Sequence, residues 1–261
     1  MKHEALHPLG VRVSGISVGA LNPRDADELR TLLAEHGVVI LPDQHVGNNE
    51  FLAFVQSFGD LQFTDGETPV DGFPDLNVVT NVGRSTPPKS TFHVDTTYVP
   101  DPPAYTALRA VDVPEQGGQT LFSNQYRAYD TLSADDRRIV DGASVTHTVT
   151  GLDGIEGSAD HPLALEHPVT GRTALYLTAP ARCRAVSSMT AEQASEFITR
   201  LVDHSTREDN VLRHSWSPHD VVIWDNRCVM HKADHSGVVG DRTMHRGMSS
   251  DRASTRPNQA R

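Results

Sequence analysis

The sequence predicts a strand-rich single domain with flanking helices, and three observations carry that expectation. Past about residue 70 the chain breaks into short β-branched and aromatic runs separated by turn signals. Two amphipathic helical stretches precede them. The length of 261 residues buries one substantial core and requires no second domain, so 1–261 is read as one unit with a frayed polar tail at 252–261.

Residues 10–13 read as a short strand, followed by a helix with Asn22 as cap and Pro23 at its first position. Leu29, Leu32 and Leu33 give this helix an apolar stripe, and Gly37 ends it. Residues 38–41 form a buried strand. A second helix, capped by Asn48 or Asn49, turns Phe51, Leu52, Phe54, Val55 and Phe58 inward, with Gly59 beyond its end. Candidate strands follow at 76–80, 92–96, 105–111, 120–123, 145–150, 174–177 and 221–225. Ser133 and Thr190 each start a further helix, the second with Ala194, Phe197, Ile198 and Leu201 as its inner stripe. Residues 168–172 are a turn between two strands. Residues 150–162, rich in Gly, Asp and Ser and without periodicity, are expected to form a loop able to cover a site.

Composition narrows the function classes. A net charge of −11 argues against a nucleic-acid surface, which needs clustered Lys and Arg. No apolar run approaches the roughly 20 residues of a membrane helix, and residues 1–10 lack the apolar stretch of a signal peptide. A cytoplasmic protein without membrane partner is therefore expected; homo-oligomerisation is compatible with the sequence. Cys183 and Cys228 are expected to be free thiols rather than a bridge. An anionic ligand must be met by individual arginines or lysines.

The chemistry is concentrated in His93 and Asp95, in Thr-Phe-His-Val-Asp-Thr, and in His231 far downstream. On a strand, residues two apart point the same way, so His93 and Asp95 can reach one ion, with His231 arriving by folding. Two imidazoles and one carboxylate occupy one face of a metal and leave the other open, as in non-haem Fe(II) oxygenases. The pair alone is weakly specific, since 14 histidines and 34 acidic residues produce such spacings by chance. Two further features add weight: Arg242, 11 residues past His231 (242 − 231), and Gly117-Gly118-Gln119-Thr120, whose Thr lies 27 past His93 (120 − 93).

Taken with Trp224-Asp225-Asn226-Arg227, His231-Lys232-Ala233 and the stretch from Arg242 to Arg246, this set resembles the TauD/TfdA family of Fe(II)- and 2-oxoglutarate-dependent dioxygenases. The resemblance runs from about Asn22 to Ser249. It implies a double-stranded β-helix, or jelly roll, with His93, Asp95 and His231 on Fe(II). Thr120 and Arg242 would hold 2-oxoglutarate, because a guanidinium fork matches a carboxylate and a hydroxyl fixes its orientation. O2 completes the co-substrates, and succinate and CO2 leave. Relatives that halogenate have a small residue where Asp95 stands, so halogenation is disfavoured. Arg246 matches an arginine that contacts the acidic group of the substrate. A small carboxylate, amino-acid derivative or sulfonate, hydroxylated at an unactivated C–H bond, is thus the expected partner. Desaturation, epoxidation and cyclisation use the same chemistry.

Each residue also has a simpler reading. Arg242 could pair with Asp241 or Asp234 on the surface, Thr120 needs no function to sit in a strand, and Arg246 could be structural. Lys89, Thr96 and Tyr98 flank the ligand segment and are candidates for the substrate side, with Lys89 equally explained as a solvated cation. Lys89 and Thr64 replace the family's substrate-side asparagine and histidine, which argues against taurine itself. Trp224 is a candidate to line the site, whereas His147, His161, His167, His204, His214, His219, His235 and His245 lack a matching partner and read as structural or exposed. A Zn or Mn hydrolase on the same triad is one alternative, which leaves Thr120 and Arg242 without a purpose; a non-catalytic β-barrel binding module is the other, and it has no need for the intact His93, Asp95 and His231 with an open metal face.

Overall fold

The computed structural model describes residues 1–83, 90–150 and 154–251. In chain order the elements are β1 (Lys2–Ala5), β2 (Val11–Ser14), α1 (Pro23–His36), β3 (Val38–Leu41), α2 (Asn48–Gln56), β4 (Leu61–Gln62), β5 (Pro69–Val70), β6 (Phe73–Thr80), β7 (Tyr105–Asp112) and β8 (Thr120–Asn124). They continue with α3 (Gln125–Asp130), α4 (Ala134–Val140), β9 (Ser144–Thr148), β10 (Ser158–Pro162), β11 (Ala164–Glu166), β12 (Thr173–Leu175), β13 (Cys183–Val186) and α5 (Ala191–Ser205). The last four strands are β14 (Val211–His214), β15 (Val221–Asp225), β16 (Val229–Ala233) and β17 (Thr243–Ser249). The protein is mainly β with helices, as expected.

The main sheet runs β1-β2-β3-β15-β7-β17-β6-β5, with β4 beside β17, and a smaller sheet runs β14-β8-β16. Phe122 of β8 and Trp224 of β15 meet across the two sheets at 5.3 Å between ring centroids. Leu108, Ala110, Val222 and Met244 complete this layer. A second core lies where α1 and α2 pack Leu29, Leu33, Phe51, Phe54 and Val55 with Val39, Leu41, Val221 and Ile223 of the main sheet. Each fully buried Leu or Phe there contributes about 1.5–3 kcal/mol. Helix α5 and strands β9, β12 and β13 enclose a third core.

Local signals explain most of the helix ends. The Asn22 side chain accepts from the Asp25 N–H, and Gly37, at φ 78°, closes α1 through an N–H bond to the Leu33 carbonyl. Thr190 and Gln193 form a reciprocal capping box on α5. Three expectations need correction. Helix α2 is capped at Gly47, whose N–H is held by Glu50. Asn48 is unavailable for capping because its Oδ1 accepts from Arg109 and bonds His245 Nδ1 at 2.7 Å. Residues 150–162 are not a continuous loop: β10 pairs with β9 and buries Ala159 and His161 in alternation, a pattern carried by residues without β preference. Finally, 92–96 is no strand, and its geometry is taken up below. Lys89 and residues 151–153 and 252–261, where the sequence predicts a covering loop and a frayed end, lie outside the described residues.

Candidate metal centre

His93 and His231 are directly opposed. Each backbone N–H donates to the other's carbonyl at 2.9 Å, a single antiparallel bridge. Their rings lie 4.4 Å apart. Beyond His93 the chain leaves the bridge and turns, with Thr96 at φ 51°. Asp95 is delivered by this turn rather than by the expected strand, because its carboxylate is drawn inward: Oδ2 accepts from the Thr106 hydroxyl at 2.9 Å. One ligand-capable atom from each of His93, Asp95 and His231 falls within 4.8 Å of the others. His93 Nε2 stands 3.6 Å from Asp95 Oδ1, and His231 Nε2 3.7 Å from Asp95 Oδ2. These separations exceed a hydrogen bond.

The donor set fits a ferrous ion on its own chemistry. The Thr91 carbonyl accepts from His93 Nδ1 at 2.8 Å, which leaves the Nε2 lone pair facing Asp95. Burial takes the His231 imidazole down to about 3, against the opposing pull of Asp95, so it is neutral. Burial pushes the Asp95 carboxyl up, but His231, Arg246 and His93 overcome this and hold it well below the usual carboxylate range. His231 and Asp95 are thus in the protonation states that a metal requires.

The Trp224-Asp225-Asn226-Arg227 stretch supports the centre from behind. Trp224 is fully buried, its ring 4.5 Å from that of His231, so it backs the imidazole rather than lining the pocket. Trp224 Nε1 donates to Asn226 Oδ1 at 3.0 Å, and Asn226 Nδ2 donates to the Thr106 oxygen at 2.8 Å. A chain of hydrogen bonds therefore runs from Trp224 to Asp95. Asp225 bonds His167 at 3.0 Å and pairs with Arg227, which also reaches Asp251 and the Tyr105 hydroxyl. His167 is structural, and His214 packs on Trp216 at 4.7 Å, in line with the sequence reading.

Arg242 and Thr120 lie on the same side of the sheet pair. On β8, Phe122 is opposite His231 and Thr120 opposite Ala233, so Thr120 points to the same face as His231. Arg242 is 1% exposed; its Nε donates to the Gly118 carbonyl at 2.8 Å and its Nη2 to Thr120 Oγ1 at 3.3 Å. No side chain larger than glycine fits at position 118: at φ 70° a Cβ would approach Arg242 Cδ to 3.0 Å and Pro114 Cγ to 2.8 Å. Among the described residues Arg242 Nη1 is buried without a hydrogen-bond partner, and no carboxylate pairs with this guanidinium. Burial lowers it to about 10. Trp216 Nε1 also donates to Thr120 Oγ1, at 3.0 Å. The hydroxyl thus accepts twice and has its own hydrogen left to give.

Arg246, on β17, borders a pocket of about 60 Å³ that opens beside His93 and Asp95. Thr96 and Tyr98 line it, with Thr64 bonded to Thr96 at 2.8 Å between hydroxyls. Glu67, Val149 and Arg182 line it too and were missed by sequence reasoning. Arg246 itself is buried and paired: Nη1 donates to Asp95 Oδ1 at 3.3 Å, Nη2 to Glu67, and Nε to Asn77 Oδ1 at 3.4 Å. Burial works against its charge, and Asp95 and Glu67 more than restore it. A wider groove, about 790 Å³, is lined by Asn22, Arg30 and Gln56 among others and contains none of the His-Asp-His set. His93 and Asp95 border the smaller pocket instead.

A family model described as "Taurine catabolism dioxygenase TauD, TfdA family" matches residues 2–248. An (S)-phenoxypropionate/alpha-ketoglutarate-dioxygenase of Delftia acidovorans is 28% identical over 87% of this chain and 86% of its own length. An alpha-ketoglutarate-dependent sulfonate dioxygenase of Saccharomyces cerevisiae is 30% identical over 86% of this chain and 60% of its own length. A taurine dioxygenase structure from Burkholderia xenovorans superposes with a TM-score of 0.84 at 28% identity, covering 96% of this chain and 90% of the other. A family match along nearly the whole sequence, joined to these relatives and to the His-Asp-His cluster, means that the chain belongs to the TauD/TfdA family and is a non-haem dioxygenase that works with Fe(II), 2-oxoglutarate and O2.

Proposed function

We propose that this dioxygenase hydroxylates an unactivated C–H bond of a small acidic substrate, a carboxylate, an amino-acid derivative or a sulfonate. In this reading His93, Asp95 and His231 hold the iron, and Thr120 with Arg242 holds the distal carboxylate of 2-oxoglutarate. Thr96, Tyr98 and Arg246 belong to the substrate side, as does Lys89, which lies outside the described residues. The carrying observation is the buried Arg242: a guanidinium with no carboxylate and an unpartnered Nη1 among the described residues, beside the unspent hydroxyl hydrogen of Thr120, calls for an anionic oxygen from outside the chain. A hydrolase or a binding module built on the same triad gives these donors nothing to bind.

When bound, ferrous ion and 2-oxoglutarate supply the oxidising chemistry, activating O2 and releasing succinate and CO2 as the substrate is oxidised. The protein holds and orients. A neutral His231 and an ionised Asp95 donate without first losing a proton, and Thr106 fixes the carboxylate's orientation through Oδ2. Val149 and Tyr98 present apolar surface around the target carbon and restrict water. No side chain is asked to act as general base. Desaturation, epoxidation or cyclisation would require only a different placement of the substrate. We further propose a single catalytic domain of jelly-roll type, formed by the two sheets that meet at Phe122 and Trp224. No described helix is long and apolar enough to cross a membrane, which is compatible with the cytoplasmic location we propose.

The test is succinate formation from 2-oxoglutarate with Fe(II) and ascorbate, screened over sulfonates, aryloxyalkanoates and free or acylated amino acids. Substrate-dependent oxygen uptake with acids is the expected result; turnover of neutral hydrophobic compounds alone would remove the acidic-substrate assignment. His93→Ala should lose stoichiometric Fe(II) binding with the fold intact, and full retained affinity would remove the ligand assignment.

A further inference from the structure

The pocket beside the metal centre holds two arginines with different commitments. Each guanidinium nitrogen of Arg246 already has an acceptor within the chain, from Asp95, Glu67 and Asn77. Arg182 borders the same pocket, half-buried, and among the described residues its guanidinium donates through Nε alone, to Thr150 Oγ1 at 3.3 Å. No carboxylate among the described residues pairs with it, so its two Nη groups keep the planar fork that a carboxylate matches. Glu67, 31% exposed at its side chain, places one oxygen on Arg246 and has no other carboxylate-bound partner among the described residues. The charges bordering the pocket balance: Glu67 and Asp95 against Arg182 and Arg246.

We infer that the pocket takes an amino carboxylic acid, its carboxylate on Arg182 and its ammonium on Glu67, while the Glu67–Arg246 pair stays closed. This rests on the dioxygenase reading and on the pocket being its substrate side. A simple monoanion seated on Arg246 would have to expel Glu67, exchanging one carboxylate for another at a buried cation and gaining no pairing. It would also leave Arg182 unused. A zwitterion finds an opposite charge for each of its own and keeps the pocket neutral, which avoids the cost of burying an unpaired charge. Glu67 then sets selectivity for the amine, and Arg182 anchors the acid.

The experiment uses the full chain loaded with Mn(II) and 2-oxoglutarate, which permits calorimetric binding without turnover, alongside succinate formation by the Fe(II) enzyme. The probes are the proteinogenic amino acids and short ω-amino acids, each next to its N-acetyl and deaminated counterparts, with 2-phenoxypropionate added. Free-amine acids should bind and their blocked or deaminated counterparts should not. Glu67→Gln keeps an acceptor for Arg246 but loses the charge; it should weaken amino-acid binding about tenfold and flatten the preference for the amine. Arg182→Gln should weaken it by a similar factor. Tighter binding of deaminated acids, above all in Glu67→Gln, would overturn the inference and make Glu67 a plug that substrate displaces. So would failure of every free-amine acid to bind. Succinate formed with simple acids alone sinks this inference and leaves the dioxygenase reading standing; no succinate under any condition sinks both. Should Glu67→Gln fail to fold, Arg182→Gln and the wild-type selectivity decide.

Discussion

Arg242 and Arg246 sit four residues apart, one just before β17 and one within it, both buried, and their surroundings are opposite. Arg246 is neutralised by Asp95 and Glu67 and its charge is reinforced. Arg242 has a carbonyl and a hydroxyl for company, no carboxylate among the described residues, and a guanidinium lowered to about 10 by burial. Buried cations are ordinarily paired. On the proposed reading the difference separates a charge the fold completes for itself from one left for 2-oxoglutarate to complete, and it predicts opposite responses to the same substitution.

The largest effect is expected at Arg242. Arg242→Met should weaken 2-oxoglutarate binding on the order of 100-fold or more, because on the proposed reading the ligand's carboxylate loses the guanidinium that holds it. In the absence of 2-oxoglutarate the same variant should unfold at a higher temperature than the wild type, since an uncompensated buried charge has been removed. Saturating 2-oxoglutarate, which stabilises the wild type by mass action, should no longer raise its melting temperature. A variant that melts lower without ligand would mean that Arg242 is paired within the fold after all. At Arg246 the sign reverses. Arg246→Met strands Asp95 and Glu67 together and should cost about 3 kcal/mol of stability in urea unfolding at pH 7. An unchanged midpoint would break the comparison.

His147 sharpens the contrast, because it is fully buried and neither ring nitrogen has a hydrogen-bond partner among the described residues, and it lies outside the His-Asp-His set. Unlike Arg242 it can shed its charge. Burial, assisted by His161, lowers it to about 3. A histidine depressed in the folded state takes up its proton only on unfolding, so its share of stability is complete above about pH 6.5 and drains away as pH falls toward 3. At pH 5 the loss is about 2 kcal/mol from this residue, taking about 1.36 kcal/mol for each pH unit. His147→Leu should therefore show a smaller drop in unfolding free energy between pH 7 and pH 5 than the wild type does. Equal drops would place the acid sensitivity elsewhere.

What could be read in the sequence follows the range of the interactions. Helix caps at Asn22 and Thr190 are local and were legible, as was the His-x-Asp pair, because its spacing is a pattern within three residues. The reason given for that pair was nonetheless wrong: a turn with Thr96 at positive φ brings Asp95 in, driven by Thr106, which no local pattern announces. Glu67 lies 179 residues from Arg246, in a Gly-Glu-Thr turn without periodicity, so their ion pair left no trace in the order of residues. Arg182 belongs to a short 3-10 turn after Pro180 and was invisible for the same reason. Strand β10 escaped because Ser, Ala, Asp, His and Pro carry little strand preference, and only its pairing with β9 fixes it.

The smallest effect is expected on the metal side, and it tests whether Asp95 is held as firmly as Arg246 is. Thr106 receives a hydrogen bond from Asn226 and passes its own hydrogen to Asp95 Oδ2, all three side chains being buried. Thr106→Val keeps the shape and removes the donor. Hydrogen-bonded supports of this kind are worth about 10–100-fold in metal affinity, and because Arg246 still steadies Oδ1 from the other side we expect the lower end. Fe(II) affinity should therefore fall about tenfold in anaerobic titration, with the affinity for 2-oxoglutarate at saturating metal unchanged. A loss as large as that of His93→Ala would show that Thr106, not the arginine, fixes the carboxylate. No loss at all would mean that the Arg246 contact suffices, and the two sides of the pocket would then share a single positioning residue.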